Sequence, residues 1–249
     1  MKYILGIDVG GTKIAVGLVD KSFKVIKNRL LPTSQTDLMA QLVHLIESYK
    51  DYSAIGLGMP GQVLPDGMVN NLGNVSNFKP VNLKNLLEKK FKVPVSVIND
   101  AKAFALAEAT VGSGKDHDTV AGIILGTGIG CGFISKGKVY LGYNSLAGEI
   151  GHFEMPSGKF FEEEVRVAGP FKNAAAARKY LRSLVSFVVR SIDPEIIVVG
   201  GGWSKLPGMQ KELETVIKTL RKFPVKTKIK VSSLKHAGII GAVLPLLRR

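Results

Sequence analysis

The chain has 249 residues, 45% hydrophobic and 22% charged, with 34 Lys and Arg against 20 Asp and Glu for a formal charge of +14. This is enough apolar material for one large domain or two ordinary ones, and the single cysteine, Cys131, excludes a disulfide framework, a cysteine-built zinc site and a CxxC redox pair. The basic residues are scattered, with only short clusters at Lys89-Lys90, Arg221-Lys222 and Arg248-Arg249, which reads as a solvated surface that also favours capture of an anionic ligand.

The longest uncharged run, Thr119 to Ser135, falls short of the roughly 20 residues of a membrane helix. No export signal is visible, because Asp8 interrupts the first apolar residues. A cytoplasmic protein with no membrane partner is therefore expected.

In chain order, residues 3–8, 14–19 and 24–31 read as an antiparallel meander turned at "DVGGT" and "DKSF". A helix over 36–49 shows Leu38, Leu42, Leu45 and Ile46 on one face. A strand over 54–58 follows, then a long loop, "GMPGQVLPDGMVNNLGNVSNFKP". A helix near 82–91, a strand at 95–98 and a helix from about 101 to 111 complete the first half.

After "GSGKDHD" the strands 119–125, 130–135 and 138–141 repeat the opening arrangement, so the chain reads as a two-fold topological repeat. Residues 142–162 read as irregular. A long core helix is expected from 171 to 192, then a buried strand ending at Gly200-Gly201-Gly202, a helix over 208–221, a strand over 227–232 and a last helix over 237–247.

Two glycine-tipped hairpins stand out. In "GIDVGGTKIAVGLVD" the interval from Gly6 to Gly11 has Walker spacing, but Thr12 and then Lys13 follow, and the turn joins strand to strand instead of strand to helix. Gly10 and Gly11 let backbone N–H groups approach a phosphate, Thr12 adds a hydroxyl with Lys13 beside it, and Asp8 at the strand end suits Mg²⁺ held through water. A tight hairpin alone explains the same residues. The second tip, "LGTGIGCG", repeats the composition around Gly126, Thr127 and Gly128, where alternate glycines weaken a strand unless something lies against its backbone.

Taken together, Asp8-x-Gly10-Gly11-Thr12, Gly126-Thr127-Gly128 and Gly200-Gly201-Gly202 resemble the phosphate-1, phosphate-2 and adenosine motifs of the sugar kinase/Hsp70/actin superfamily. More narrowly, "INDAKAFALAE" and "LAGEIGH" are similar to the ROK family of sugar kinases. The resemblance implies a two-lobed, actin-like (ribonuclease H-like) α/β fold. Its lobes are residues 1–111 with 237–249, and residues 112–236.

The resemblance further implies ATP and Mg²⁺ bound between the glycine hairpins, and Asp100 as the general base that accepts the proton of an attacking hexose hydroxyl. An N-cap is the structural reading of the same Asn99-Asp100 pair. By the family pattern the sugar meets Asn99, Asp100, Glu149 and His152, and Asn71 in the long loop is the candidate selector among sugars, with glucose expected first.

The chain departs from the family after His152. Many members continue there into a cysteine-rich zinc loop, whereas this chain has "FEMPSGKFFEEEVRVAG", so no zinc site is expected. Counting back from Ala168-Gly169 makes Glu164 the match for the family's last sugar-binding glutamate, with Glu162 and Glu163 open as alternatives. Family repressors carry a DNA-binding segment before the first strand; this chain opens on the strand, so no nucleic-acid partner is expected. A homodimer is compatible with the sequence.

Overall fold

The computed structural model describes residues 3–70, 72, 78–220 and 222–247. The chain divides into two compact units: Met1–Ala107 with Gly142–Leu146 and Lys235–Arg249, and Glu108–Leu141 with Ala147–Leu234. The sequence reading leaves Gly142–Leu146 in the second lobe, whereas here it belongs to unit 1.

Unit 1 begins with β1 (Tyr3–Val9), β2 (Lys13–Val19) and β3 (Val25–Pro32), followed by α1 (Leu38–Glu47) and β4 (Tyr52–Met59). Three short strands, β5 (Gln62–Val63), β6 (Met68–Asn70) and β7 (Val81–Asn82), lead into α2 (Leu83–Phe91), β8 (Val95–Asn99) and α3 (Asp100–Val111). The main sheet has the order β3-β2-β1-β4-β8. β1 and β2 pair antiparallel, while β4 and β8 run parallel to β1.

Alternation along β1 and β4 explains how this sheet is covered. Leu5, Ile7 and Val9 with Ile55, Leu57 and Met59 join Leu38, Leu42, Leu45 and Ile46 of α1 in one core cluster. The opposite face is small: a Cβ at Gly56 would run into the backbone of Ala242, so the last helix, Ala237–Leu247, lies directly on the strands. Side chains at i, i+2 and i+4 share a face, so the same strand packs bulk on one side and a helix backbone on the other. The Asp37 carboxylate starts α1 by accepting the Ala40 N–H at 2.9 Å.

Unit 2 contains β9 (Thr119–Leu125), β10 (Ile129–Ser135), β11 (Lys138–Tyr140), α4 (Phe161–Ala168), α5 (Arg178–Ser191), β12 (Ile196–Gly200), α6 (Met209–Lys218) and β13 (Lys228–Val231). The order β11-β10-β9-β12-β13 repeats the unit 1 pattern of an antiparallel meander extended by parallel strands. Leu181, Leu184, Val185 and Val188 of α5 recur at three- and four-residue intervals and bury against Ile123, Leu125, Ile197 and Val199.

Three local expectations are corrected. The run after β4 carries β5, β6 and β7, whose two or three residues are too few to show a strand period. The long helix starts at Arg178, not near Phe171. α4 forms within the stretch read as irregular and beyond it: Phe161 and Val165 bury one face, and the Glu163 carboxylate accepts the Phe160 N–H at 2.8 Å at its start. Among the described residues no helix is long and apolar enough to cross a membrane.

Candidate active site

In unit 1, the carboxyl ends of β1, β4 and β8 lie side by side, with Asp8 paired to Gly58 and Met59 to Asn99. A Cβ placed on Gly58 would stand 3.3 Å from Asp8 Oδ1 and 3.7 Å from the Cα of Asp100. The two aspartates thus flank one glycine, which sequence reasoning passed over although the alternate glycines of "GLGMPG" signal a close approach. Gly238 was missed as well. Its Cα faces the Asp8 carboxylate so closely that a Cβ would overlap both oxygens and the carboxyl carbon.

This enclosure sets the electrostatics of Asp8. Desolvation by burial lifts its carboxyl from 3.8 to about 6. Among the described residues no hydrogen bond reaches it. A half-buried carboxylate without a protein donor fits a water-held cation, which supplies the charge its surroundings lack.

Asn99 and Asp100 are placed by the strand-to-helix junction. Asn99 Oδ1 accepts the Lys102 N–H at 3.1 Å and caps α3, and its Nδ2 donates to the Gly61 carbonyl at 3.1 Å. Asn99 is therefore the cap, and Asp100 is the first helical residue, half-buried, with Oδ1 accepting the Ala101 N–H at 2.8 Å.

The first glycine turn has its carbonyls occupied on one side. Thr33 Oγ1 donates to the Gly10 carbonyl at 2.8 Å, Gln35 Nε2 to that of Gly11 at 3.1 Å, and the Thr33 N–H to that of Thr12 at 3.0 Å. Among the described residues no hydrogen bond takes the N–H of Gly11 or Thr12, so these donors remain for an anion. Thr12 and Lys13 are exposed.

In unit 2 the turn Gly126-Thr127-Gly128 joins β9 to β10, with the Gly126 N–H donating to the Gly128 carbonyl at 3.0 Å. The Gly200-Gly201-Gly202 turn follows β12, the strand beside β9. Gly201 has φ 86, and a Cβ there would strike the backbone of Leu125 at the end of β9, so only glycine fits.

The "GEIGH" segment brings Glu149 and His152 together, with His152 Nδ1 3.4 Å from Glu149 Oε2. On the other side of the ring, Nε2 lies 3.7 Å from Glu162 Oε1. Glu162 Oε2 accepts the Ile129 N–H at 3.0 Å, tying this carboxylate to the end of the Gly126–Gly128 turn. Glu164 stands apart and accepts from Ser157 Oγ, while Glu163 serves as the helix cap. The identical neighbours in the glutamate run hid this difference, because only helix phase decides which carboxylate faces the histidine.

The segment after His152 closes as a small hairpin, with a bridge between Glu154 and Phe160, the Phe161 N–H on the Phe153 carbonyl at 2.9 Å, and the Phe160 ring edge-on to His152 at 5.5 Å. Cys131 is buried in β10. Asn71 lies outside the described residues.

Residues 4–176 match the sequence model of the ROK family, a span that includes both "INDAKAFALAE" and "LAGEIGH". The chain belongs to the ROK family. Over 163 residues it is 38% identical to the N-acetyl-D-glucosamine kinase of Vibrio vulnificus strain YJ016, covering 63% of this chain and 54% of that protein. It thus spans about half the length of that relative. The N-acetylgalactosamine kinase AgaK of Shewanella sp. strain ANA-3 is 28% identical over 298 residues, with 95% of this chain and 96% of that protein covered. The solved inorganic polyphosphate/ATP-glucomannokinase from Arthrobacter sp. strain KM matches 99% of each chain at 30% identity and a TM-score of 0.74, so the two chains share a fold.

Proposed function

We propose that this chain is an ATP-dependent sugar kinase that phosphorylates the 6-hydroxyl of a hexose or N-acetylhexosamine. The observation that carries the reading is the convergence of Asp8 and Asp100 on Gly58 at the carboxyl ends of three neighbouring strands. One carboxylate suits a cation and the other a proton.

In this reading the sugar oxygen attacks the γ-phosphorus as its proton passes to the Asp100 carboxylate, and ADP leaves with the electrons of the broken P–O bond. Asn99, with its carboxamide fixed from both ends, binds sugar hydroxyls. The free N–H groups of Gly11 and Thr12, with Lys13 nearby, receive phosphate oxygens. Within unit 2, the Gly126-Thr127-Gly128 turn suits phosphate, the Gly200-Gly201-Gly202 turn suits adenosine, and Glu149 with His152 suits sugar hydroxyls.

The contact of Glu162 with His152 favours Glu162 over Glu164 as the further sugar-binding carboxylate. Mg²⁺, when bound, neutralises phosphate charge, and Asp8 is the residue that would hold it through water.

The names of the relatives move N-acetylhexosamines ahead of glucose as substrate. The glucomannokinase makes inorganic polyphosphate a second donor to test, and a chain with a formal charge of +14 suits such a polyanion. The experiment is ADP release measured across hexoses and N-acetylhexosamines, with polyphosphate as the alternative donor and sugar phosphate as its readout. Turnover of one sugar class is the expected result. Sugar binding without phosphoryl transfer from either donor would make the chain a sensor instead of an enzyme.

A further inference from the structure

Lys102 is among the largest fully buried side chains of the protein, only 1% exposed. A lysine is costly to dehydrate, so its burial calls for a return elsewhere. Its Nζ donates at 2.9 Å to the backbone carbonyl of Ser145, itself 2% exposed and held at φ 59.

Ser145 lies in Gly142–Leu146, which packs as part of unit 1 although the chain on either side belongs to unit 2. The same loop is tied a second time, by Gln62 Nε2 on the Asn144 carbonyl at 2.7 Å, and Gln62 Oε1 accepts from Asn70 Nδ2 at 3.0 Å.

These bonds close a ring. From the Lys102 N–H it runs to Asn99 Oδ1, from Asn99 Nδ2 to the Gly61 carbonyl, along the chain to Gln62, across to Asn144, along to Ser145, and back to Lys102 Nζ. Every member belongs to unit 1. Asn99 is the member assigned to sugar hydroxyls in the proposed function.

We propose that Lys102 is a positioning residue for sugar recognition: it clasps the Gly142–Leu146 loop and thereby fixes the Asn99 carboxamide and the Gln62 side chain. Rings of hydrogen bonds fail as units, since opening either tie releases the same loop. The kinetic part of this inference rests on the kinase reading, and the clasp itself does not.

Lys102→Met keeps the length of the side chain and removes the buried ammonium at the cost of one donor to the Ser145 carbonyl, so the fold should persist with reduced stability, and melting curves check that it does. Gln62→Leu opens the ring from the other side. Each variant should raise the sugar KM about tenfold, the scale of one hydrogen bond from a charged donor, with kcat within about threefold and the nucleotide KM unchanged. The double variant should do little more than the larger single change.

An unchanged sugar KM in folded Lys102→Met, or strictly multiplicative effects in the double variant, would overturn the proposal. Chymotrypsin supplies a readout independent of activity, because Tyr143 at the loop crest is 100% exposed. Cleavage after Tyr143 should be about tenfold faster in Lys102→Met at a temperature where melting curves show the variant still folded. If the wild-type protein phosphorylates no sugar, the kinase reading fails while this cleavage still decides the clasp, and a wild-type cleavage rate would refute it.

Discussion

Replacing Asp8 by Asn should stabilise the ligand-free protein while abolishing phosphoryl transfer. Burial lifts the Asp8 carboxyl from 3.8 to about 6, so the folded protein holds this proton more tightly than the unfolded chain does. The resulting stability is fully present below 3.8 and is lost as pH rises through about 6. A shift of roughly two pKa units, at about 1.4 kcal/mol each, leaves the ionised wild type about 3 kcal/mol less stable near neutral pH than it would be with a neutral group there.

Asn carries no charge, so Asp8→Asn should recover up to about 3 kcal/mol at neutral pH, less whatever its own amide loses in the same pocket. Urea or thermal denaturation in buffers from about pH 4 to pH 8 measures the gap between wild type and variant, which should open across the interval between the two pKa values. Mg²⁺ should stabilise the wild type and leave the variant unmoved, and ADP release by the variant should fall at least about a hundredfold. A variant less stable than wild type near pH 8, or a gap independent of pH, would refute the reasoning that burial dominates this carboxylate.

Asp100→Asn should fold normally and lose at least about a hundredfold in turnover, the lower range for a positioned acid–base group; near-normal kcat would remove Asp100 from the mechanism. Glu162→Gln should raise the sugar KM by about tenfold or more, whereas Glu164→Gln should stay close to wild type, and initial-rate kinetics with one sugar separates them. Gly238→Ala places a methyl against the Asp8 carboxylate and should cost about 1–3 kcal/mol of stability by denaturant titration, along with activity. Treatment with a zinc chelator followed by Mg²⁺ should restore full activity and an unchanged melting curve, because the hairpin over 153–161 closes through backbone bonds and the Phe160 contact.

The fold was legible wherever chemistry repeats along the chain. β1 and β9 read as buried strands because their apolar runs are long enough to show, and α5 read as a helix because Leu181, Leu184, Val185 and Val188 keep its period. β5, β6 and β7 did not, since two or three residues carry no period. α4 was hidden because three glutamates in a row resemble a solvated turn, although in a helix they point in different directions.

The candidate site divides in the same way. The sequence by itself determined the residue types: the glycine turns, the Asn99-Asp100 pair at a strand-to-helix junction, and Glu149 three residues before His152, each a local pattern to which the family resemblance attached a role. Only the tertiary structure decided that Gly58 and Gly238 enclose Asp8, that Glu162 rather than Glu164 meets His152, and that Lys102 reaches Ser145. Those are encounters between segments far apart in the chain or differing only in helix phase. A backbone must fold before the dehydration of one carboxylate, or the direction of another, has any value at all.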